Sequence, residues 1–223
     1  MWKLKIAQLQ LALFYDANTS IDLDGLSYFV RREVKRLANI DLGNNQMFGV
    51  LPPEVPPEVP RLQLSSTNSK LRVQCSLTRF DFFYERNDNE DEINFDLFIK
   101  IIDAFFNIHN DLLKPLIRVG LIAYKTAIDD NPSSSIARMT LNPLGVGNLD
   151  ELSDVNLMFN KPFQFEGQHF NCHLTFMSGM DVVRGRSILV KQIDVSSLEN
   201  LNFSNDYKNE VIKRAFILKT DEN

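Results

Sequence analysis

The chain has 223 residues, of which 44% are hydrophobic and 24% are charged, and its formal net charge is -5. These fractions are typical of a folded protein and exclude the low hydrophobicity and high net charge of a disordered chain. The negative charge repels phosphate backbones at long range, so nucleic-acid binding would require a local cluster of basic residues.

The first predicted element is a strand over residues 3–15. Its apolar residues fall on even positions up to Ile6 and on odd positions from Leu9 onward. Because the side chains of a strand alternate between two faces, this change of phase predicts a β-bulge near Ala7 or Gln8.

The same segment resembles a signal peptide only superficially. Two glutamines interrupt its apolar run, and no small-residue cleavage site follows it. No apolar stretch of the chain approaches the ~20 residues of a membrane span. We therefore expect a cytoplasmic protein that does not insert into membranes.

A helix is predicted next, over residues 23–38. Its apolar residues recur at spacings of three and four, which places them on one side of the helix. Asp22 or Asp24 is the expected N-cap, and Asn39 is expected to end the helix.

A proline-rich segment, "LPPEVPPEVPRL", occupies residues 51–62. Nine residues of polyproline II helix would extend about 28 Å, which is long enough to cross a domain. We predict a stiff connector within one fold. A ligand for an SH3-like partner and a linker between domains are the alternatives.

Four more elements complete the first part of the chain. Strands are predicted over 61–66 and 70–86, followed by a helix over 94–113 capped by Asn94 and a strand over 116–128. Together with the first strand and helix, this is the βαββαβ order of a ferredoxin-like unit. We therefore predict an α+β fold in which an antiparallel sheet carries its helices on one face.

The remainder of the chain is predicted to be a β-rich antiparallel half that ends in a helix over 206–217. A short strand is expected at 136–141, followed by four strands that are separated by turns at Lys161-Pro162, Glu166-Gly167, Ser178-Gly179 and Arg184-Gly185. No flexible linker separates this half from the first. We therefore assign residues 1–130 to the ferredoxin-like half and 131–223 to the β-rich half, sharing one core.

An aromatic run offers the first candidate site. Phe80, Phe82 and Tyr84 share one face of the strand over 70–86, and RRM domains stack bases on such aromatic strands. Their consensus needs glycine after the basic residue, whereas Arg79 leads directly into Phe80. The run is either a binding face for nucleic acid or an aromatic core under helices.

A basic turn offers the second candidate. Arg184 and Arg186 flank a predicted hairpin tip, and Lys191 follows on the next strand. Guanidinium groups in such a position can bind a carboxylate or a phosphate. The alternative is a charged tip that serves only solubility.

Histidines and cysteines do not form a recognisable metal site. On a strand, His169 and His173 would lie about 13 Å apart, too far to bind one tetrahedral ion, and Cys172 would point to the opposite face. Cys75 and Cys172 are predicted to be buried free thiols. We predict no metal and no cofactor.

No catalytic motif is present: the chain lacks a G-x-S-x-G sequence and a P-loop. By elimination we predict a non-catalytic binding protein that engages a protein partner or associates with itself. The alternatives are an enzyme with a dispersed active site and a protein that binds nucleic acid or anions. A polar cleft that gathers Arg118, Tyr124, His169 or His173 would favour the enzyme.

Overall fold

A computed structural model gives the fold and describes residues 2–16, 20–48, 52, 54–86, 92–112, 116–140, 148–198 and 206–221. Within these ranges the chain forms one nine-stranded antiparallel sheet and four α-helices, which confirms the mixed helix-and-strand class. The strands are β1 (Lys5–Tyr15), β2 (Asn44–Met47), β3 (Leu62–Ser65), β4 (Leu71–Cys75), β5 (Arg79–Glu85), β6 (Leu116–Ile128), β7 (Asn156–Phe165), β8 (Gln168–Asp181) and β9 (Arg186–Ser197). The helices are α1 (Leu23–Ala38), α2 (Phe95–Asp111), α3 (Pro132–Thr140) and α4 (Asp206–Asp221), and a short 3₁₀ helix spans Leu149–Glu151.

The strand order does not confirm a ferredoxin-like unit. Such a unit has two strands between its helices, but here β2, β3, β4 and β5 all lie between α1 and α2. The long strand expected over 70–86 is two strands, because Ser76 Oγ accepts backbone hydrogen bonds from Thr78 (3.2 Å) and Arg79 (3.0 Å) and stabilises a turn between β4 and β5.

The order across the sheet is β2-β3-β4-β5-β1-β6-β9-β8-β7. Strand β1 is central and pairs antiparallel with β5 on one side and β6 on the other. The second part of the chain extends this same sheet, since β6 pairs with β9. The division at residue 130 stays a prediction.

Several local predictions are confirmed. The register of β1 against β6 shifts between Ile6 and Gln8, which places the bulge at Ala7. Helix α1 begins after Asp22, whose side chain accepts from the Gly25 N–H, and ends at Asn39 in the left-handed conformation. Asn94 Oδ1 accepts from the Leu97 N–H in the same way at the start of α2.

Helix α3 corrects the strand expected at 136–141. Asn131 Oδ1 accepts from the backbone N–H of Ser134 (3.2 Å), as an N-cap does, and Pro132 occupies the first helical position. Proline is favoured there because its missing N–H would have no helical partner. The six-residue alternation in "IARMTL" was too short to outweigh this start signal.

Two predicted turns are also wrong. Strand β7 runs through Lys161-Pro162, and β8 runs through Ser178-Gly179. The turn at Glu166-Gly167 is confirmed: both residues have positive φ, 47° and 77°, as a two-residue type I′ hairpin requires.

Pro162 lies on the outermost strand, β7. In a two-residue hairpin the residues that flank the turn are hydrogen-bonded to each other, so Phe165 and every second residue before it bond to β8. Pro162 belongs to the other set of residues, whose backbone nitrogens point away from β8. Its nitrogen, which carries no hydrogen, therefore faces the free edge of β7. Proline at this position hinders pairing with another strand.

The proline-rich segment does not form an extended polyproline II strut. The Val55 N–H donates to Pro52 O (3.0 Å), and the Val59 N–H donates to Pro56 O (3.1 Å). A polyproline II helix has no internal hydrogen bonds, so each of these bonds identifies a β-turn. The described part of this segment therefore contains two chain reversals, one closed at Val55 and one at Val59. The Arg61 guanidinium donates to Val55 O (3.4 Å).

The core lies on one face of the sheet, which we call the helix-covered face. Side chains from alternate positions of the central strands and from α1, α2 and α4 form one buried cluster, and Leu11, Phe82, Leu121, Phe105 and Phe216 are members of it with no exposed surface. The Phe82 ring stacks on Phe98 at 5.9 Å and meets Phe105 edge-on at 5.1 Å.

One polar group is built into this core. His109 Nδ1 lies 2.7 Å from Phe105 O, and His109 Nε2 lies 2.7 Å from Tyr15 Oη. Because a carbonyl only accepts, Nδ1 carries the hydrogen and Nε2 accepts from the tyrosine hydroxyl. His109 is thus satisfied as a neutral ring.

Both cysteines are free and buried, as predicted. Burial raises the pKa of the Cys75 thiol to about 12, which keeps it protonated. Among the residues that the structure describes, no helix is long and apolar enough to cross a membrane.

Candidate functional site on the polar face of the sheet

The candidate site lies on the sheet surface opposite the helix-covered face, which we call the polar face. Its side chains alternate along each strand with those of the core, and the cross-strand register aligns them in rows. At its centre are Gln10, Ala12, Phe14, Arg79, Asp81, Phe83, Arg118, Gly120, Ile122, Tyr124, His173, Gln192, Asp194 and Ser196.

Two arginines flank one aromatic ring on this face. Phe14 is the register partner of both Arg79 on β5 and Arg118 on β6. The two guanidinium carbons lie 4.9 Å and 5.0 Å from the centroid of the Phe14 ring, within cation–π range. The ring therefore supports two positive charges on adjacent strands.

Arg79 is neutralised by a neighbour. Its guanidinium donates to Asp81 Oδ1 at 2.7 Å through one terminal nitrogen and at 3.0 Å through Nε. Gln10 Nε2 donates to the same oxygen at 2.8 Å. Asp81 Oδ1 thus accepts three hydrogen bonds, and two of the Arg79 donors are already engaged.

Arg118 is far less satisfied. Among the described residues, one of its terminal nitrogens donates to Ser196 Oγ at a long 3.4 Å. Its Nε is buried and has no acceptor within the described part of the chain. A guanidinium carries five N–H donors and is always charged, so Arg118 holds unused donors.

Asp194 carries the charge opposite to that of Arg118 on the same face. Its side chain is only 21% exposed, and its nearest ionisable neighbour is His173, its register partner, with Nδ1 3.9 Å from Oδ2. That distance is too long for a hydrogen bond. Burial raises the pKa of Asp194, although His173, Arg118 and Arg79 act in the opposite direction.

Tyr124 lies one row away, on β6. Burial raises the pKa of its phenol, and the negative charge of Asp194 raises it further. The hydroxyl therefore stays protonated at neutral pH and can donate or accept a hydrogen bond.

A row of small residues forms the floor between these groups. Ala12, Gly120 and Ser196 are register partners on β1, β6 and β9. A Cβ placed on Gly120 would lie 3.8 Å from the Ala12 Cβ and 4.0 Å from both Asp194 Oδ1 and the Ser196 Cβ. The Asp194 carboxylate thus reaches the floor from one side, and Arg118 reaches it from the other through Ser196.

Comparison with models of known families and with curated proteins gives no match. Function is therefore argued from this chain's own residues.

The aromatic run lies elsewhere. Phe80, Phe82 and Tyr84 are fully buried on the helix-covered face. Phe80 packs edge-on against Phe105 at 5.3 Å and against His109 at 5.0 Å. Buried rings cannot stack on bases, so the run serves as an aromatic core under helices.

The basic turn is not one site. Arg184 pairs with Asp181 at 3.1 Å, on the turn between β8 and β9. Lys191 is five residues beyond Arg186, about 16 Å along the strand, and is buried with its Nζ 5.9 Å from the Phe176 ring centroid. The structure therefore separates Lys191 from the two arginines.

His169 and His173 both point to the polar face, whereas Cys172 is in the core, as the strand periodicity predicted. The sheet gathers His173 with Arg118 and Tyr124 on one face, three of the four residues that the sequence suggested for a polar cleft. Sequence reasoning missed Asp194 and Phe14. Their signal was present: each occupies a position that alternates with core residues.

Proposed function

We propose that this chain is a non-catalytic binding protein, and that its polar face holds a small ligand through a carboxylate or phosphate group on Arg118. The observation that carries the proposal is the unsatisfied Arg118 guanidinium beside Phe14 and Ser196. Carboxylates and phosphates match the planar donor arrangement of arginine.

A buried donor without an acceptor lowers the free energy of unfolding by about 1–3 kcal/mol, and by more when the donor is charged. Native proteins rarely retain such a group, and the exceptions call for an explanation. An anion that binds the Arg118 guanidinium, with Nε turned toward it, would remove the cost. Neighbouring Arg79 cannot play this part as readily, since Asp81 already engages it.

A small ligand fits better than a nucleic acid. The net charge of -5 opposes a polyanion at long range. The aromatic residues that were candidates for base stacking are in the core. A single carboxylate or phosphate needs only the local field of Arg118.

The test is a titration with acetate, citrate and inorganic phosphate, followed by amide NMR shifts. We expect shifts confined to β1, β6 and β9, and at least tenfold weaker binding for Arg118→Gln. Arg72→Gln is the matched control: Arg72 lies on the same sheet face over Phe83 but pairs with Glu85. Equal weakening by both substitutions, or no shift with any anion, would exclude the proposal.

An enzyme is the second candidate, because His173, Asp194 and Tyr124 are ionisable groups gathered on one face with Arg118. We prefer a binding function over an enzymatic one because His173 and Asp194 are not hydrogen-bonded to each other. A catalytic base normally requires such an orienting contact. Recovery of the bound ligand after prolonged incubation separates the two. A chemically changed ligand, with the change abolished in His173→Asn, would favour the enzyme.

Association with a protein partner or with a second copy stays a prediction from the sequence. Pro162 withholds a donor from the free edge of β7. We therefore expect any self-association to use a surface other than this edge.

A further inference from the structure

We propose that the ligand is a small zwitterion of the α-amino acid class, with its carboxylate on Arg118 and its ammonium group on Asp194. This inference rests on the proposed function and makes it more specific. It assigns Asp194 the role of selecting a positively charged group next to the anion.

First, neither Arg118 nor Asp194 has a full set of hydrogen bonds among the described residues. Arg118 has one long hydrogen bond and a buried Nε without an acceptor. The largely buried Asp194 carboxylate accepts no hydrogen bond from the described residues, and Nδ1 of its neighbour His173 lies 3.9 Å from Oδ2. The Arg118 guanidinium has unused donors, and the Asp194 carboxylate has unused acceptor positions. The two groups lie on one surface but do not form an ion pair within 4.0 Å.

The second support is the geometry of the floor. Gly120 and Ser196 face each other across β6 and β9. Asp194 Oδ1 lies 4.0 Å from the place where a Gly120 Cβ would be, and Arg118 contacts Ser196 Oγ. Both charged groups thus border the same two small residues, which are themselves buried, so the ligand would lie above them and between the two charges.

The third support is electrostatic. A simple anion on Arg118 would lie close to the Asp194 carboxylate, and like charges at short range in a partly buried site repel strongly. An ammonium group on the same ligand replaces that repulsion with attraction. The remaining charges that face the site, Arg79 and Asp81, cancel each other through their ion pair.

The α-amino acid class fits because its carboxylate and ammonium group are separated by one carbon. Arg118 and Asp194 border the same small residues from opposite sides, so the two charged groups of the ligand must lie close together. Phe14 lies in the row next to the floor and can contact a ligand side chain, whereas Tyr124 lies two rows away on the other side.

The experiment compares three probes that share one side chain: phenylalanine, 3-phenylpropanoate and phenethylamine. Binding is measured by calorimetry and by amide NMR shifts at pH 7. We expect phenylalanine to bind at least tenfold more tightly than either single-charge probe, which corresponds to about 1.4 kcal/mol. A second zwitterion series, built on leucine, guards against a side chain that does not fit.

Asp194→Asn provides the variant arm. We expect it to weaken phenylalanine binding about tenfold and to strengthen 3-phenylpropanoate binding, because the repulsive charge is gone. Glu85→Gln is the matched control, since it removes a carboxylate from the same face at a site paired with Arg72. It should leave both affinities unchanged.

The outcomes separate the two proposals. If 3-phenylpropanoate binds as tightly as phenylalanine and Arg118→Gln abolishes both, the zwitterion inference fails while the proposed function stands. If Asp194→Asn changes neither affinity, the inference also fails. If neither the zwitterions nor the simple anions bind, both proposals fail.

Discussion

The two faces of one sheet have opposite characters in this protein. On the helix-covered face, aromatic and aliphatic side chains interdigitate with three helices and leave almost no exposed surface. On the polar face, the alternate residues of the same strands carry charges, amides and a glycine, with donors left unused. Stability is concentrated on the first face, whereas the second face carries polar groups whose hydrogen bonds are not all made.

Phe82 and Phe83 are adjacent residues on opposite faces, and they give the largest expected contrast. Phe82 is fully buried against Phe98 and Phe105, so Phe82→Ala should lower the free energy of unfolding by about 3–5 kcal/mol. Phe83 lies beneath the Arg72 guanidinium at 4.1 Å on the polar face, so Phe83→Ala should cost at most about 1.5 kcal/mol. Urea unfolding measures both, and similar losses would contradict the division between the faces.

Tyr15 tests the polar group inside the core. Tyr15→Phe removes the hydrogen bond between Tyr15 Oη and His109 Nε2 inside the core, which should cost about 1–3 kcal/mol. Tyr28→Phe, at a residue that is 63% exposed, should change stability by less than about 0.5 kcal/mol. Thermal unfolding of the two variants compares them. Equal melting temperatures would mean that water or another group satisfies His109.

Substitution of Asp194 gives the smallest expected change in stability, and the size of this change depends on pH. Because burial raises its pKa in the folded state, the folded protein holds this proton more tightly than the unfolded chain does. The contribution to stability therefore falls as the pH rises from the unfolded-state pKa of about 3.9 through the raised folded-state pKa. Asp194→Asn removes this loss, so the variant should gain stability relative to the wild type between pH 4 and pH 7.

Asp181 is the matched control for this prediction. A backbone hydrogen bond from Arg184 is the largest influence that lowers its pKa. The sign is therefore reversed: Asp181→Asn should lose stability relative to the wild type as the pH rises through the lowered folded-state pKa to the unfolded-state value of about 3.9, and the difference should stay constant above it. Urea unfolding at several pH values measures both variants. Parallel pH profiles for the two would rule out the assignment of Asp194 as a carboxylate held in an unfavourable environment.

Local features were predictable because they depend on neighbours in the chain. The bulge at Ala7 follows from a change of hydrophobic phase, and the caps Asp22 and Asn94 follow from side chains that can accept a backbone N–H. The aromatic alternation in β5 likewise indicated a buried face. Each of these signals spans only a few residues.

Other features were missed because competing local signals were close in strength. The proline-rich segment has the composition of a polyproline II helix, yet the bonds to Pro52 and Pro56 close turns. The phase change within 70–86 was interpreted as one irregular strand, whereas Ser76 stabilises a turn there. Pro162 suggested a turn, whereas an outer strand accepts proline without losing a bond to its neighbour.

The sequence by itself determined the class of elements, most helix boundaries and which residues of each strand face the core, because these depend on periodicity and on caps within one segment. Only the tertiary structure decided that β1 lies between β5 and β6 and that β9 joins the same sheet. The placement of Arg118 and Asp194 on either side of the row of Gly120 and Ser196 follows from that strand order. Periodicity specifies the face of a side chain, but its neighbours across strands depend on contacts between segments far apart in the chain.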